Sequence, residues 1–259
     1  MTAPSVLVHR DAGLLAQAVA ARLVTRIVDL QAAKGSASLV LTGGEIGTAT
    51  LAALRASAAR DAVDWSRLDL WWGDERYLPA GHPDRNETQA RAALLDHVGL
   101  STTRVRPMPP SDVDDGSTPE AAAEYYAALL ARAARPEDHG PVPEFDILLL
   151  GVGPDGHTAS LFPGLAGVYD ERSVLAVRGA PKPPPIRITL GFNALNAARE
   201  TWVVVAGADK AGAVALALSG AGRSQVPAAG VRGRQRTLWL LDRAAAARLP
   251  ASLPRLASP

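Results

Sequence analysis

The sequence predicts an α/β protein: a single-domain, three-layer α/β/α sandwich built on a mostly parallel, Rossmann-like sheet. Three observations carry this expectation. Short apolar runs alternate with longer helical segments along most of the chain, the pattern of strand–helix–strand units. The run Phe145 to Leu150 is apolar on both faces, as a strand covered on both sides requires. The 259 residues, 47% of them hydrophobic, are enough to fill the core of one large domain spanning 1–259.

The elements follow in order. Val6 to Val8 read as a short strand, and Asp11 N-caps an Ala/Leu/Val-rich helix that stops near Lys34-Gly35. Ser38 to Leu41 form a strand, Thr42-Gly43-Gly44 a turn, and Thr48 to Arg60 a helix. Leu68 to Trp72 are the next strand, ending in Gly73-Asp-Glu-Arg76. A loop carrying His82 to Asn86 leads into a helix from about Glu87 to Val98. Pro107 to Pro119 is polar and Pro-rich, but alternation resumes beyond it with the helix Glu120 to Ala134, so it reads as a surface excursion. After Phe145 to Leu150, further strands are expected at Ser173 to Val177, Arg187 to Leu190, Thr201 to Val205 and Thr237 to Leu241. A helix from about Asp209 to Leu218 separates the last two. Residues 249–259, with three prolines, are expected to be a loosely ordered tail.

Composition narrows the function. Net charge is +1 with the signs interspersed, so neither a nucleic-acid nor a membrane surface is expected, and a small anionic ligand stays open. Absence of cysteine removes disulfides, thiolate catalysis and Cys-based zinc sites. No leader-like or bilayer-spanning apolar run stands out, which makes a cytoplasmic protein, monomeric or weakly oligomeric, the expectation. His9, His82, His97, His139 and His157 are scattered, so no catalytic metal is expected. The sequence also lacks G-x-S-x-G, H-E-x-x-H and G-x-x-x-x-G-K-[ST].

The densest stretch is Gly151-Val-Gly-Pro-Asp-Gly-His-Thr158. It places an acid and a histidine beyond the end of a strand, where open α/β sheets bind ligands. Gly151, Gly153 and Gly156 also spell the dinucleotide fingerprint. Context weakens that reading, because Pro163-Gly164 leave room for only about two helical turns of 3.6 residues. Asp155 would also face the pyrophosphate, and Ser173 to Val177 ends in Arg178 rather than in a ribose-binding acid. A nicotinamide enzyme whose arginine receives a 2′-phosphate stays open.

His157, expected on the turn into a short helix, is the general-base candidate because imidazole titrates near neutrality. Asp155 is placed to hold its tautomer or to contact substrate. The alternative is that Asp155 caps the helix and His157 only occupies its first turn. Thr42-Gly43-Gly44, between a strand and a helix, suits either a phosphate cradle or a plain structural turn. Lys210, after Gly207-Ala-Asp209, and Arg187, after the Pro181 to Pro185 run, are cations at strand ends that suit a phosphate; the other readings are a surface lysine and an edge-strand arginine. In Trp71-Trp-Gly-Asp-Glu-Arg-Tyr77, Asp74 and Glu75 suit sugar hydroxyls and Arg76 an anionic group, unless they form a structural pair. Asn86 is a loop anchor or a hydroxyl contact. Gly156 and Thr158, flanking His157, complete the expected substrate-binding set.

Leu41-Thr-Gly-Gly44, Trp71-Trp-Gly-Asp-Glu-Arg76, Asp84-x-Asn86 and the long string Gly151 to Gly164 together resemble the 6-phosphogluconolactonase family, as do Arg187-Ile-Thr-Leu190 and Gly207-Ala-Asp-Lys-Ala211. The resemblance covers nearly the whole chain. It implies an α/β/α fold akin to the glucosamine-6-phosphate isomerases and hydrolysis of 6-phospho-glucono-1,5-lactone in the oxidative pentose phosphate pathway, without a cofactor. It also implies that His157 activates water with Asp155 beside it, that Gly43, Gly44, Arg187 and Lys210 hold the phosphate, and that Asp74, Arg76 and Asn86 line the sugar end. Two departures stand out. Glu45-Ile-Gly47 replaces the family's usual Ser/Arg-Thr-Pro, so Glu45 is expected to point away from the phosphate, and Gly191 replaces a threonine-like residue with little expected effect.

Two other readings compete. Hexose-6-phosphate isomerases and deaminases of the same architecture resemble G-H-I-A-F-N-E-P, with a glutamate after the histidine that supports ring opening. Here Thr158-Ala-Ser-Leu-Phe-Pro163 carries no carboxylate. A non-catalytic sugar-phosphate-binding protein should lack the Asp–His pair or carry a partner-binding segment, and neither is seen.

Overall fold

The computed structural model describes residues 4–114, 117–138 and 140–257. His139 and parts of the 107–119 connector and of the tail lie outside the described residues. Ten strands fall into two sheets. The larger contains β1 (Ser5–His9), β2 (Ala37–Leu41), β3 (Leu68–Trp72), β5 (Ile147–Leu150), β8 (Glu200–Val205), β9 (Arg236–Asp242) and β10 (Arg255–Ala257). Its order is β10-β1-β9-β8-β5-β2-β3, and every pairing is parallel. The smaller is antiparallel, β4 (Asp74–Arg76), β7 (Arg187–Leu190) and β6 (Val174–Val177) in that order. Helices α1 (Ala12–Lys34), α2 (Gly44–Ala56), α3 (Asn86–Ala93), α4 (Pro119–Ala133), α5 (Phe192–Leu195) and α6 (Ala211–Leu218) flank them, giving an α/β fold with a mostly parallel central sheet.

Local sequence accounts for these elements. Asp11 Oδ1 accepts the Leu14 N–H at 2.8 Å to cap α1, and Gly35 ends the helix with φ 83°, a conformation that costs glycine little. Leu15, Val19, Leu23 and Ile27 recur every four residues on α1, forming one fully buried stripe. All four residues of β5 are buried, as its central position demands. Trp71 packs edge-on against both Tyr126 of α4 and Phe145, each at 5.9 Å between centroids.

The structure corrects several expectations. Helix α2 begins at Gly44 rather than Thr48, because Gly43 is already its N-cap, and it stops at Ala56 before a short 3-10 turn. Helix α3 ends at Ala93, short of Val98, and a 3-10 turn follows. Val174–Val177 and Arg187–Leu190 leave the parallel sheet for the antiparallel one. They pair with each other, and Arg187–Leu190 also pairs with β4, a three-residue polar strand that gives no apolar-run signal. The tail is not simply loose: Arg255–Ala257 pairs in parallel with Val6 to Val8, satisfying backbone groups on the outer edge of β1. No helix forms between Gly156 and Pro163, where turns and one isolated bridge occupy the space. Gly191 is the N-cap of α5, and a Cβ there would collide with the Arg172 carbonyl, so the glycine has a local steric reason. Among the described residues no helix is long and apolar enough to cross a membrane.

Asp146 ties two parts of the core together. Its buried carboxylate accepts the Ser38 N–H at 2.7 Å and the Lys34 ammonium at 2.6 Å, joining the end of α1 and the start of β2 to the approach to β5. Replacing it leaves a buried N–H and a cation without their acceptor. Asp146→Ala is expected to lose about 2–3 kcal/mol of stability, read as a lowered urea midpoint with an unchanged slope.

Candidate functional site

Parallel strands all end on the same edge of their sheet, and a cavity of about 610 Å³ opens at that edge. Thr42, Gly43 and Gly44 enter from β2, Gly151 to Pro154 from β5, and Val204 to Ala206 from β8. The antiparallel sheet contributes Asp74, Arg76 and Arg187, while Asn86, His157 and Lys210 complete the wall. Nine expected site residues therefore come together; Asp155, Gly156 and Thr158 do not line the cavity themselves.

The turn after β5 holds His157 in place without a helix. Gly153 N–H donates to His157 O at 2.9 Å, Gly156 turns with φ 83°, and Thr158 Oγ1 donates to Gly151 O at 2.9 Å. Asp155 Oδ1 lies 2.5 Å from His157 Nδ1. Asp155 thus caps no helix; it engages Nδ1 of the imidazole, and His157 lines the cavity. The ring stacks at a tilt on Phe162, 4.5 Å between centroids. A Cβ at Gly153 would collide with both the imidazole and the Asp155 carboxylate. Partial burial pushes the Asp155 pKa up, but the hydrogen bond and charge of His157 outweigh it and hold the carboxyl below its ordinary value.

The opposite wall is cationic and rich in backbone donors. Helix α2 starts there, and its N-cap Gly43 offers no side chain to the first-turn N–H groups. Arg187 is buried on the central strand of the small sheet rather than on an edge. Its Nε donates to Pro184 O at 2.9 Å and its Nη2 to the Lys182 and Pro183 carbonyls at 3.0 and 3.1 Å. Burial lowers its pKa, with Asp74 pulling the other way. Lys210 precedes α6 and is bound 3.0 Å from both oxygens of Asp209. Glu45 is exposed and, among the described residues, makes no hydrogen bond or ion pair. It also forms part of the cavity lining, an exposed acid in the first turn of α2.

Between these walls lies a buried polar layer. Asp74 Oδ2 accepts Ser160 Oγ at 2.7 Å, and Ser160 N–H donates to Thr189 Oγ1 at 3.1 Å. Asn86 Nδ2 donates to Asp74 O at 2.8 Å, while its Oδ1 is buried beside Gly43, where a Cβ would collide with it. Of its two expected roles, the anchor is the one the bonding fits. Arg76 Nη1 donates to Asp84 O at 2.6 Å. Glu75, expected to meet sugar hydroxyls, is instead fully buried and away from the cavity. Lys182, Asp209 and the start of α1 at Ala12-Gly13 line the cavity without having been singled out by sequence. The chain has only three lysines, and that scarcity is the one signal in the sequence that could have pointed to Lys182. Among the described residues no group of three His, Cys, Asp or Glu side chains is placed to hold a metal. Arg178, the residue on which a 2′-phosphate reading depended, pairs on the surface with Glu120 at 2.8 and 2.9 Å.

A parallel sheet with a polar cavity at its strand ends, walled by an Asp–His pair and several cations, defines a small-ligand-binding α/β protein. Residues 10–239 match the model of the family described as glucosamine-6-phosphate isomerases/6-phosphogluconolactonase, and the chain belongs to that family. It is 64% identical over 251 residues to a 6-phosphogluconolactonase of Streptomyces coelicolor, covering 96% of each chain. It is 49% identical over 247 residues to that of Mycobacterium tuberculosis, covering 95% of this chain and 98% of the relative. The solved 6-phosphogluconolactonase of Trypanosoma brucei superposes with a TM-score of 0.82 at 29% identity, covering 96% of this chain and all of that one (100%).

Burial pushes the Glu75 pKa up to about 7 from 4.5, against the pull of Arg85 and three backbone N–H groups. A carboxyl whose folded pKa exceeds its unfolded value binds the extra proton in the folded state. Its stabilising contribution is complete below pH 4.5 and is lost as pH rises through about 7. The urea midpoint is expected to fall between pH 5 and pH 7.5, and to fall less steeply in Glu75→Gln; equal slopes would contradict this.

Proposed function

We propose that this chain hydrolyses 6-phospho-D-glucono-1,5-lactone to 6-phospho-D-gluconate by general-base activation of water, with no covalent intermediate. The observation that carries this reading is the Asp155–His157 pair, whose histidine lines the same cavity as the start of α2, Arg187 and Lys210. The relatives named 6-phosphogluconolactonase support the choice of substrate.

The mechanism follows from the positions. The phosphate sits at the start of α2, where uncapped N–H groups and the helix dipole favour an anion, within reach of Arg187 and Lys210. Lys182 adds a further cation on that wall. The sugar lies over Asp74 and Arg76, and the lactone carbonyl reaches His157. Asp155 holds Nδ1 as the protonated nitrogen, so Nε2 accepts a proton from water as the water oxygen bonds to the carbonyl carbon. The carbonyl oxygen becomes an oxyanion in a tetrahedral intermediate. When it collapses, the bond from that carbon to the ring oxygen breaks, and the imidazolium returns its proton to the departing alkoxide. A lactone is an activated ester, so a positioned water and a base suffice without a protein nucleophile.

An isomerase or deaminase of the same family is the second reading. It is disfavoured by Thr158-Ala-Ser-Leu-Phe-Pro163, which brings no carboxylate beside His157 for ring opening.

The test follows loss of freshly made lactone above its spontaneous rate. Wild type is expected to accelerate it, and His157→Ala to lose about 10²–10⁴-fold in kcat. No acceleration by wild type would refute the activity, and full activity in the variant would refute the base. Unphosphorylated gluconolactone should be turned over with a much lower kcat/KM; equal values on the two lactones would overturn the phosphate placement.

A further inference from the structure

Glu75 is a residue for which the proposed chemistry has no use. It lines no part of the cavity, yet it is a fully buried carboxylate with an unusually complete set of partners. Oε1 accepts the N–H of Arg76 at 2.8 Å and of Asn86 at 2.6 Å, and Oε2 accepts that of Glu87 at 2.9 Å. Arg85, also fully buried, brings Nη2 to 3.6 Å from Oε2 and anchors itself on the carbonyls of Leu78 and Met108 at 3.1 and 2.8 Å.

These bonds do one thing together. Helix α3 has Arg85 at its N-cap, and that residue gives no side-chain cap. Glu75 supplies the missing acceptor from β4, taking the first two N–H groups of the helix. The same carboxylate holds the N–H of Arg76, so the strand carrying Arg76 and the helix opened by Asn86 are locked in one register. Asn86 extends the lock: Nδ2 holds Asp74 O, and Oδ1 fills the notch at Gly43, the N-cap of α2.

We infer that Glu75 is a positioning residue for the phosphorylated-lactone site, setting Arg76 and Asn86, and through Asn86 the Gly43 turn, in their binding geometry. The inference rests on the reading of the cavity given above. A purely stabilising role explains less, because a buried ion pair is often replaceable by apolar residues at no loss of stability. What apolar residues cannot do is accept three N–H groups from two separate elements at fixed positions.

The test is a double-mutant cycle of Glu75→Gln and Asn86→Ala, with folding checked by circular dichroism at the assay temperature. Glu75→Gln keeps the shape but turns a donor toward Glu87 N–H and Arg85. It is expected to raise KM for the phosphorylated lactone about tenfold or more while kcat changes by less than about threefold, the signature of lost ground-state positioning. Once Glu75 is changed, Asn86→Ala should add less than about twofold, because residues in one network couple. Glu75→Asp should recover part of the lost affinity.

A folded Glu75→Gln protein with wild-type KM would overturn the inference, and so would fully multiplicative effects of the two changes. If Glu75→Gln does not fold, the cycle is run with Glu75→Asp, and multiplicative effects there overturn it equally. Calorimetric binding of 6-phosphogluconate is read in parallel, with the same tenfold weakening expected. Should wild type bind this ligand but fail to accelerate lactone hydrolysis, the hydrolytic reading fails while the positioning of Arg76 and Asn86 is still decided by binding.

Discussion

The peptide groups of Gly73 join the two sheets, and the cavity depends on that joint. Its N–H donates to Leu41 O at the end of β2, at 3.0 Å, and its carbonyl accepts the Leu190 N–H at the end of β7, at 2.8 Å. One residue therefore ends the parallel ladder and starts the antiparallel one. The chain leaves β3 in the large sheet and enters β4 in the small one without a loop between them. As a result, Asp74, Arg76 and Arg187 stand over the carboxyl ends of β2 and β5, where an all-parallel sheet would leave only loops. The partners of Asp74 continue the joint: Ser160 comes from the turn after His157 and Asn86 from α3.

Charge alone does not explain how such a cavity would take a phosphate. Arg76, Lys182, Arg187 and Lys210 line it, but so do Glu45, Asp74 and Asp209, four cations against three acids. Summed over the whole lining these charges nearly cancel, so selection rests on where the cations and donors are held. Arg187 is held by three carbonyls that fix its plane, and Lys210 is held by Asp209 until an anion competes for it. The first-turn N–H groups of α2 are fixed by the backbone itself. Donors held in advance lose little freedom when an anion arrives. Glu45 in the lining would repel a bound dianion, and would repel a product carrying a new carboxylate more than the substrate it came from.

Much of this was legible in the sequence, and the misses share one cause. Strands and helices with an apolar period were placed well, from the Asp11 cap and Gly35 stop of α1 to the buried strands β5 and β8. The turns carrying Thr42 to Gly44 and Asp155 to His157 stood out because glycine, acid and histidine are conspicuous at the end of an apolar run. What stayed hidden was built from polar backbone pairing. Asp74–Arg76 forms a strand because β7 offers it partners, and Arg255–Ala257 because β1 has an open edge. The segment after Gly156 has room for two helical turns but instead spends its polar groups locally, Thr158 on Gly151 and Ser160 on Asp74. Glu75 was misread for the same reason. A charged residue in a charged motif looks solvent-facing until the three N–H groups it serves are brought to it by separate elements.

The division of burial within the site fits the work proposed for each part. Asp74, Arg85, Asn86, Ser160, Arg187 and Thr189 are nearly inaccessible, and their hydrogen bonds run mostly to backbone atoms that cannot shift independently. Asp155 and His157 are more open, with side-chain exposures of 35% and 16%. A base that takes a proton from water and returns it to a leaving oxygen must reach solvent and reorient slightly between the two transfers. Full burial would also disfavour the imidazolium it forms. In the proposed reaction Asp155 would support that cation by hydrogen bond and charge, and Gly153 has no Cβ to collide with the ring. The sugar end faces the opposite requirement: its hydroxyls and phosphate must be met in one geometry or the carbonyl misses the base. Rigidity beneath the substrate and access beside the base are therefore complementary demands. The turn after β5 satisfies both, since its Ser160 is locked into the buried layer only three residues from the exposed edge of His157.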